Sequence, residues 1–428
     1  MNVADSQRLG SALEHLGYIH TPDADLADVI VLNTCVVRQS AEDKAYGRLQ
    51  SLRPLKEKKP GLIINLMGCM VGVRGTEKLR KSLPFVDVFS PPSDPGPLIS
   101  FLTQSETKQL QDLETRSRFS MMDSGLNLPA HEQGKLVSAY IPVVYGCSHA
   151  CTYCIIPYKR GVEHSRPAQE ILDEARALAD QGVKEVTLLG QIVDRYGVDL
   201  PDSPHLAGIL NRLNEVPGLD RIRFLTSHPN YLDDDILHSV ADLEKVMPHI
   251  EVPIQAGDDQ VLKHMRRGYT NQDYRNLVDH IRQVIPGVSI ATDIIVGFPG
   301  ESNSQFEVTQ HLLSELKLDV AHLARYSPRE GTVSARRMSN DVPDEVKLER
   351  FRILEALQEQ VAGEINSHYL GQRVEVLFEE KVKTRWRGRT PTNKLVFVEN
   401  ENDLRGQQLP VTITWTGPWS MQANLSSV

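Results

Sequence analysis

Long apolar runs are missing from this 428-residue chain. Nothing in it approaches the roughly 20 consecutive apolar residues of a membrane-spanning helix. The opening residues, Met1 to Ser6, lack the basic start and apolar core of a secretory signal. Both absences lead to the expectation of a cytoplasmic protein. Cysteine is scarce: there are 5, an odd number, and three of them crowd one loop. That pattern excludes a disulfide framework and favours reduced, metal-binding thiols. Positive charge is in deficit, with 47 Lys and Arg against 56 Asp and Glu. A nucleic-acid partner would therefore have to be met by a local basic patch. Repeats beyond strand–helix units and low-complexity tracts are absent, which excludes a solenoid. What remains is an ordinary globular composition, 40% hydrophobic and 24% charged, long enough for two or three domains.

What is present concentrates at Cys147, Cys151 and Cys154, spaced C-x-x-x-C-x-x-C. Thiolates are the usual holders of iron–sulfur clusters. Three of them can bind three irons of a 4Fe–4S cube and leave the fourth iron open to a small molecule. A structural zinc site needs four protein ligands. His149 and His164 are the nearest candidates for a fourth, and neither stands at a familiar zinc spacing.

Around this loop the chain divides into three parts, expected at 1–105, 136–365 and 366–428, with 106–135 as a linker holding at most one helix. The first part has a helix expected from Ser6 to Leu16 and buried strands at Val29–Asn33 and Ile63–Met67. This βα pattern suggests a small, flavodoxin-like parallel sheet. The second part alternates strands at Ile141–Tyr145, Glu185–Leu189, Arg221–Leu225, Ile250–Ile254, Ser289–Val296 and Val320–Tyr326 with helices such as Ala168–Gln181, Asn271–Val284 and Ser304–Leu316. Six such units suggest an open, partial (β/α)6 barrel of the TIM type. Polar or glycine-bearing motifs follow the strands, where such folds carry their chemistry. The third part alternates in the strand manner at 372–378, 394–398 and 409–415, as in a small OB-like β-barrel.

The third part also holds the basic run from Lys381 to Lys394, with six basic residues, no acid and Trp386 among them. Two readings stand side by side. One is a nucleic-acid face in which Lys383, Arg385, Arg387 and Arg389 clamp phosphates while Trp386 stacks on a base. The other is a solvated edge strand that uses charge to block aggregation.

These motifs together resemble the radical S-adenosylmethionine methylthiotransferase family. The resemblance is carried by Asp28 to Arg38, Met67 to Met70, Cys147 to Gly161, Ser165 to Pro167, Thr226 to Pro229, Leu262 to Tyr269 and Asp293 to Glu301. The terminal barrel resembles the family's TRAM domain. The run Gly388 to Asn393 resembles the tRNA-modifying, MiaB-type branch rather than the RimO-like branch that modifies a ribosomal-protein aspartate. The resemblance implies addition of a methylthio group to carbon 2 of N6-isopentenyladenosine beside the anticodon of a tRNA. Carbon 2 of adenine is neither acidic nor electrophilic, so radical chemistry suits it, and the cofactor carries the hard step. Cys147, Cys151 and Cys154 are then expected to hold a 4Fe–4S cluster that binds S-adenosylmethionine. Cys35 and Cys69 are expected to hold a second, sulfur-supplying cluster. Tyr153, Gln191, Gln255 and Gly297 are candidates to contact S-adenosylmethionine; no separate catalytic side chain is expected. The implied partners are tRNA and a flavodoxin- or ferredoxin-type electron donor, with the protein a monomer. An inactive RNA-binding relative is the alternative from another class.

Two departures from the family pattern carry expectations. Ile192 follows Gly190 and Gln191 where the family has asparagine. The family's second cluster has three cysteines, one of them in a run ahead of the first helix. Met1 and Asn2 stand just beyond that place, so the chain as written is expected to lack an interior first strand and one ligand, as from a start codon set too far downstream. It is also expected to open in a polar loop.

Overall fold

The computed structural model describes residues 1–37, 39–73, 76–106 and 128–426. Arg38 of the first motif, and residues 107–127 of the expected linker, lie outside the described residues.

The first part is a parallel sheet in the order β1 (Val29–Thr34), β2 (Ile63–Gly68), β3 (Val88–Ser90). Alternation along β2 serves both faces. Ile64 and Leu66 pack with Leu49 and Leu52 of the helix Gln39–Lys58. Ile63 and Met67 pack with Leu9 of the helix Asn2–His15 and with Leu98 and Leu102 of Gly96–Glu106. One expectation fails here. The chain does not open in a loop: the helix begins at Asn2, because the Met1 carbonyl already accepts from the Asp5 amide at 2.8 Å. β1 and β2 pair directly from Val29–Ile63 to Thr34–Gly68.

The second part has two parallel sheets, β4 (Ser138–Pro142)–β7 (Glu185–Leu189)–β8 (Arg221–Leu225) and β9 (His249–Glu251)–β10 (Ser289–Val296)–β11 (Val320–Arg325). They are stitched together where the Ile222 amide donates to Lys245 at 2.6 Å and the Met247 amide to Ile222 at 2.9 Å. The Ser227 amide donates to Glu251 at 2.9 Å, one step further along. The expected strand at Ile141–Tyr145 ends as a partner of β7 at Pro142, after one last bond from the Val143 amide to the Leu189 carbonyl at 2.8 Å. Its remainder, β5 (Val144–Tyr145), turns to pair antiparallel with β6 (His164–Ser165). Amphipathic helices cover the strands. Asn271–Val284 is set by a capping box of Thr270 and Asp273, and Asn303–Leu316 by one of Ser302 and Gln305.

The third part is a closed barrel in the order β12 (Arg373–Val382), β13 (Arg385–Arg389), β14 (Leu395–Glu399), β16 (Met421–Leu425), β15 (Gln408–Thr416). Closure leaves no open edge. It seats on the N-terminal ends of the central strands. Arg221 donates to the Arg389 carbonyl at 2.7 Å and to Gln408 at 2.8 Å. Arg223 donates to Pro391 and Thr390 at 2.8 and 2.9 Å, and Lys394 pairs with Asp319 at 2.6 Å.

Candidate functional site

β5 and β6 bring the two ends of the segment 146–163 together, so the cysteine loop is closed by a two-stranded ribbon at the C-terminal ends of the central strands. Gly146 makes that closure possible. Its φ is +67°, and a Cβ there would stand 2.0 Å from the Val162 carbonyl oxygen. The middle of the loop is fixed by the helix Asp259–Met265. That helix ends on Arg266 in the left-handed conformation (φ 58°), which leaves its last carbonyls free to accept. The Thr152 amide donates to Met265 at 3.1 Å and the Thr152 hydroxyl to His264 at 2.8 Å.

The three thiols have unequal surroundings. Burial pushes Cys147 up, and pushes Cys154 up to about 12, with the Cys151 charge adding to it. Cys151 goes the other way. Burial opposes its thiolate, but a hydrogen bond from His149 and the charge of Arg267 carry it below the ordinary thiol value. The Arg267 guanidinium donates to Cys151 Sγ at 3.1 Å. No three His, Cys, Asp or Glu side chains among the described residues are grouped tightly enough for a single metal ion. The ligands of a cube stand further apart, since each binds its own iron, and three thiols on one loop are a donor set of the right chemistry for it.

The second pair of cysteines projects from adjacent strand ends. The Cys69 amide donates to the Thr34 carbonyl at 3.0 Å, and Cys35 follows Thr34 directly. Gly68 (φ +99°) allows this crossing, since a Cβ would lie 2.5 Å from Thr34 O. Burial raises the Cys69 thiol, against the charge and hydrogen bond of Arg160. Arg160 also reaches Asn2 at 2.9 Å, Ser93 at 3.3 Å and Asp5 at 3.8 Å. It ends the short helix Ile156–Arg160 that follows Cys154. Consecutive residues of this segment serve different neighbours: Ile155 packs with Cys69 and Val36, and Ile156 with Cys147 and Ile192. The Ile192 departure is thus an apolar contact beside Cys147. A cavity of about 190 Å³ is lined by Pro92, Ser93, Tyr145, Gly146 and Arg160.

The other candidates are spread over the strand ends. Tyr153 meets Phe298 edge-on at 6.4 Å between ring centres, a packing contact. Gln191 donates to Met1 Sδ at 3.1 Å. Gln255 is buried at φ +80° and Thr226 stands at +74°, unusual for residues with side chains and typical of functional sites. Gly297 has a local reason to be glycine. A Cβ there would strike Lys347 Cγ at 2.3 Å, so the glycine is explained by Lys347 and by its φ of +72°.

Asp194 carries no signal in the sequence, and for His149 and His228 the sequence does not show that they meet. The His149 and His228 rings meet at 4.6 Å, tilted by 56°, and His228 meets Tyr269 edge-on at 5.6 Å. Burial, then the Arg267 charge, pushes His228 down to about 2. Asp194 is buried, accepts from Ser227 and the His228 amide at 2.8 and 2.6 Å, and is pushed up to about 7 by burial. Arg267 sits within the quoted Leu262–Tyr269 motif, but only folding brings it to Cys151.

The basic run differs most from its reading. Trp386 is 2% exposed, packs in the barrel core and donates its indole N–H to Asn402 at 2.8 Å. It cannot stack on a base; the exposed indoles are Trp415 and Trp419. Acids absent from the run arrive from neighbouring strands. Arg385 pairs with Glu399 at 2.9 Å. A bulge in β12 between Phe378 and Glu380 presents two carboxylates, so Arg387 meets Glu380 at 2.8 Å and Arg389 meets Glu379 at 3.4 Å. The Gly388–Asn393 motif faces the central strands through its carbonyls, as described above.

Comparison with known proteins places these features. The Radical SAM superfamily model matches residues 141–313, and the Uncharacterized protein family UPF0004 model matches 1–90. The chain is 45% identical to a tRNA-2-methylthio-N(6)-dimethylallyladenosine synthase of Herpetosiphon aurantiacus, over 99% of this chain and 95% of that one. It is also 45% identical to one of a Roseiflexus species, over 100% and 87%. Among solved structures it is similar to the radical S-adenosylmethionine methyltransferase TsrM of Kitasatospora setae, at 16% identity and a TM-score of 0.49, over 76% of this chain and 70% of that one.

Proposed function

Because the chain belongs to the family of tRNA-2-methylthio-N(6)-dimethylallyladenosine synthases, with a radical S-adenosylmethionine core, we propose that it adds a methylthio group to carbon 2 of N6-isopentenyladenosine beside the anticodon of tRNA. The central strands are read as one open (β/α)6 barrel, the first part as a methylthiotransferase domain and the last as a TRAM barrel. Cys147, Cys151 and Cys154 hold a 4Fe–4S cluster in this reading, with Tyr153, Gln191 and Gln255 near S-adenosylmethionine. Cys35 and Cys69 contribute to a second cluster. Together these groups supply hydrogen abstraction and sulfur. The chain's own part is to hold them, and the observation that carries the reading is the short segment Ile155–Arg160, which packs against both cysteine sets.

Lys383, Arg385 and Arg387, at the solvent face of the last barrel, are read as phosphate contacts for the tRNA. A flavodoxin- or ferredoxin-type protein donates electrons, and the protein acts as a cytoplasmic monomer. No helix among the described residues is long and apolar enough to cross a membrane.

The test is anaerobic incubation with S-adenosylmethionine, dithionite and tRNA carrying N6-isopentenyladenosine, followed by nucleoside mass spectrometry. The 2-methylthio nucleoside is expected from the native protein and not from Cys151→Ala. Intact clusters and cleavage of S-adenosylmethionine without that product would overturn the assignment. A methylthiolated ribosomal-protein aspartate would move it to the protein-modifying branch.

A further inference from the structure

We infer that Arg267 is the positioning residue that sets the reduction potential of the cluster on Cys147, Cys151 and Cys154, by hydrogen bonding and charge at the Cys151 sulfur. The inference rests on the proposed role of those three cysteines. Arg267 is 5% exposed. Its Nη1 donates to Cys151 Sγ at 3.1 Å. The other two guanidinium nitrogens are committed: Nε donates to the Tyr269 hydroxyl at 2.8 Å, and Nη2 to the Pro253 carbonyl at 3.3 Å. Tyr269 is itself anchored on the Ile254 carbonyl at 2.7 Å. The fork is therefore held from behind, with one N–H aimed at the thiolate. The partners of its three nitrogens are a hydroxyl, a carbonyl and the sulfur, and the sulfur is the one thiolate among them.

A buried cation beside a thiolate acts on the cluster in a definite direction. Reduction adds one electron and one negative charge to the cube, and a fixed positive charge stabilises the more negative form. A hydrogen bond to sulfur draws electron density from the same site, and both features raise a cluster's potential. Arginine suits the place because it stays charged when buried. The electron comes from an external low-potential one-electron reductant and remains on the cluster; no bond is made or broken at Arg267.

The experiment is a redox titration of reconstituted protein followed by electron paramagnetic resonance, with iron counted in each sample. Arg267→Gln is expected to hold its iron and to show an about tenfold lower ratio of reduced to oxidised cluster at a fixed poise, which is about 59 mV for a one-electron couple. Arg267→Lys, which keeps the charge, is expected to recover part of that shift. A second measurement uses unaltered protein labelled with 15N-arginine. Pulsed resonance of its reduced cluster is expected to show a 15N coupling. An unmoved midpoint in Arg267→Gln at full iron content, or no 15N coupling, would overturn the inference. Native protein that binds no cluster at all would instead overturn the assignment of the three cysteines.

Discussion

The Thr152 hydroxyl donates to the carbonyl of His264 at 2.8 Å, joining the cysteine loop to the end of a helix more than a hundred residues away in sequence. The Thr152 amide bonds the next carbonyl, Met265, and the Thr152 carbonyl accepts from the Ser334 amide at 2.8 Å. Every polar group of this residue is thereby used, on the position between Cys151 and Tyr153.

Thr152→Val keeps the shape and removes the hydroxyl. The His264 carbonyl then loses a buried donor, at a cost of about 1–3 kcal/mol. Anaerobic denaturant unfolding should show that loss, together with faster release of iron to a chelator. Unchanged stability and iron retention would mean that the amide bond alone holds the loop.

Trp386 and Trp419 should respond in opposite ways. Trp386→Ala opens the barrel core and should cost about 3–5 kcal/mol. Trp419 is 55% exposed, and its replacement by alanine should stay within about 0.5 kcal/mol. Thermal unfolding of the two variants separates core from surface.

Neutralising the acids that answer the basic run should expose it. Glu399→Gln and Glu380→Gln remove the nearer carboxylates of Arg385 and Arg387, in surface pairs worth about 0–1 kcal/mol each, so the fold should persist. Affinity for tRNA should rise and its salt dependence steepen, whereas Arg385→Glu with Arg387→Glu should weaken binding. Equal affinities across the set would place the tRNA elsewhere.

Asp194 gives a pH dependence with a definite sign. Burial raises its carboxyl from 3.8 to about 7. The folded state therefore binds more protons than the unfolded one between these values, and stability falls as pH rises through that window. Its contribution is fully present below the unfolded value and lost above about pH 7. Asp194→Asn carries no charge, so its stability relative to the native protein should improve by about 2–4 kcal/mol from pH 4 to pH 8. A difference that does not vary with pH would show that the carboxyl is not titrating in this range.

The central strands were legible as short, largely apolar segments between helical stretches, as at Glu185–Leu189, Arg221–Leu225 and Ser289–Val296, each found at the expected residues. The helix Asn271–Val284 was legible from its periodicity. Val88–Ser90 was not, because three residues show no period. Met421–Leu425 was missed because only Met421 and Ala423 face the core, and Gln422 and Asn424 beside them are polar. The basic run was misjudged for a different reason. Sequence shows which charges are neighbours along the chain, and the answering carboxylates lie across the sheet on β12 and β14.

The amino-acid sequence by itself determined the class of protein and pointed to three thiols as candidate cluster ligands, because three cysteines at fixed short spacing on one loop need no distant residue to be noticed. It also determined the order of the three parts, because each carries its own hydrophobic period. Only the tertiary structure decided which thiol stands beside a buried cation, that Cys69 and Cys147 share the two faces of one short segment, and that Trp386 points inward. Those properties depend on distances between residues far apart in the chain. Packing and desolvation settle them, and neither can be read from local spacing.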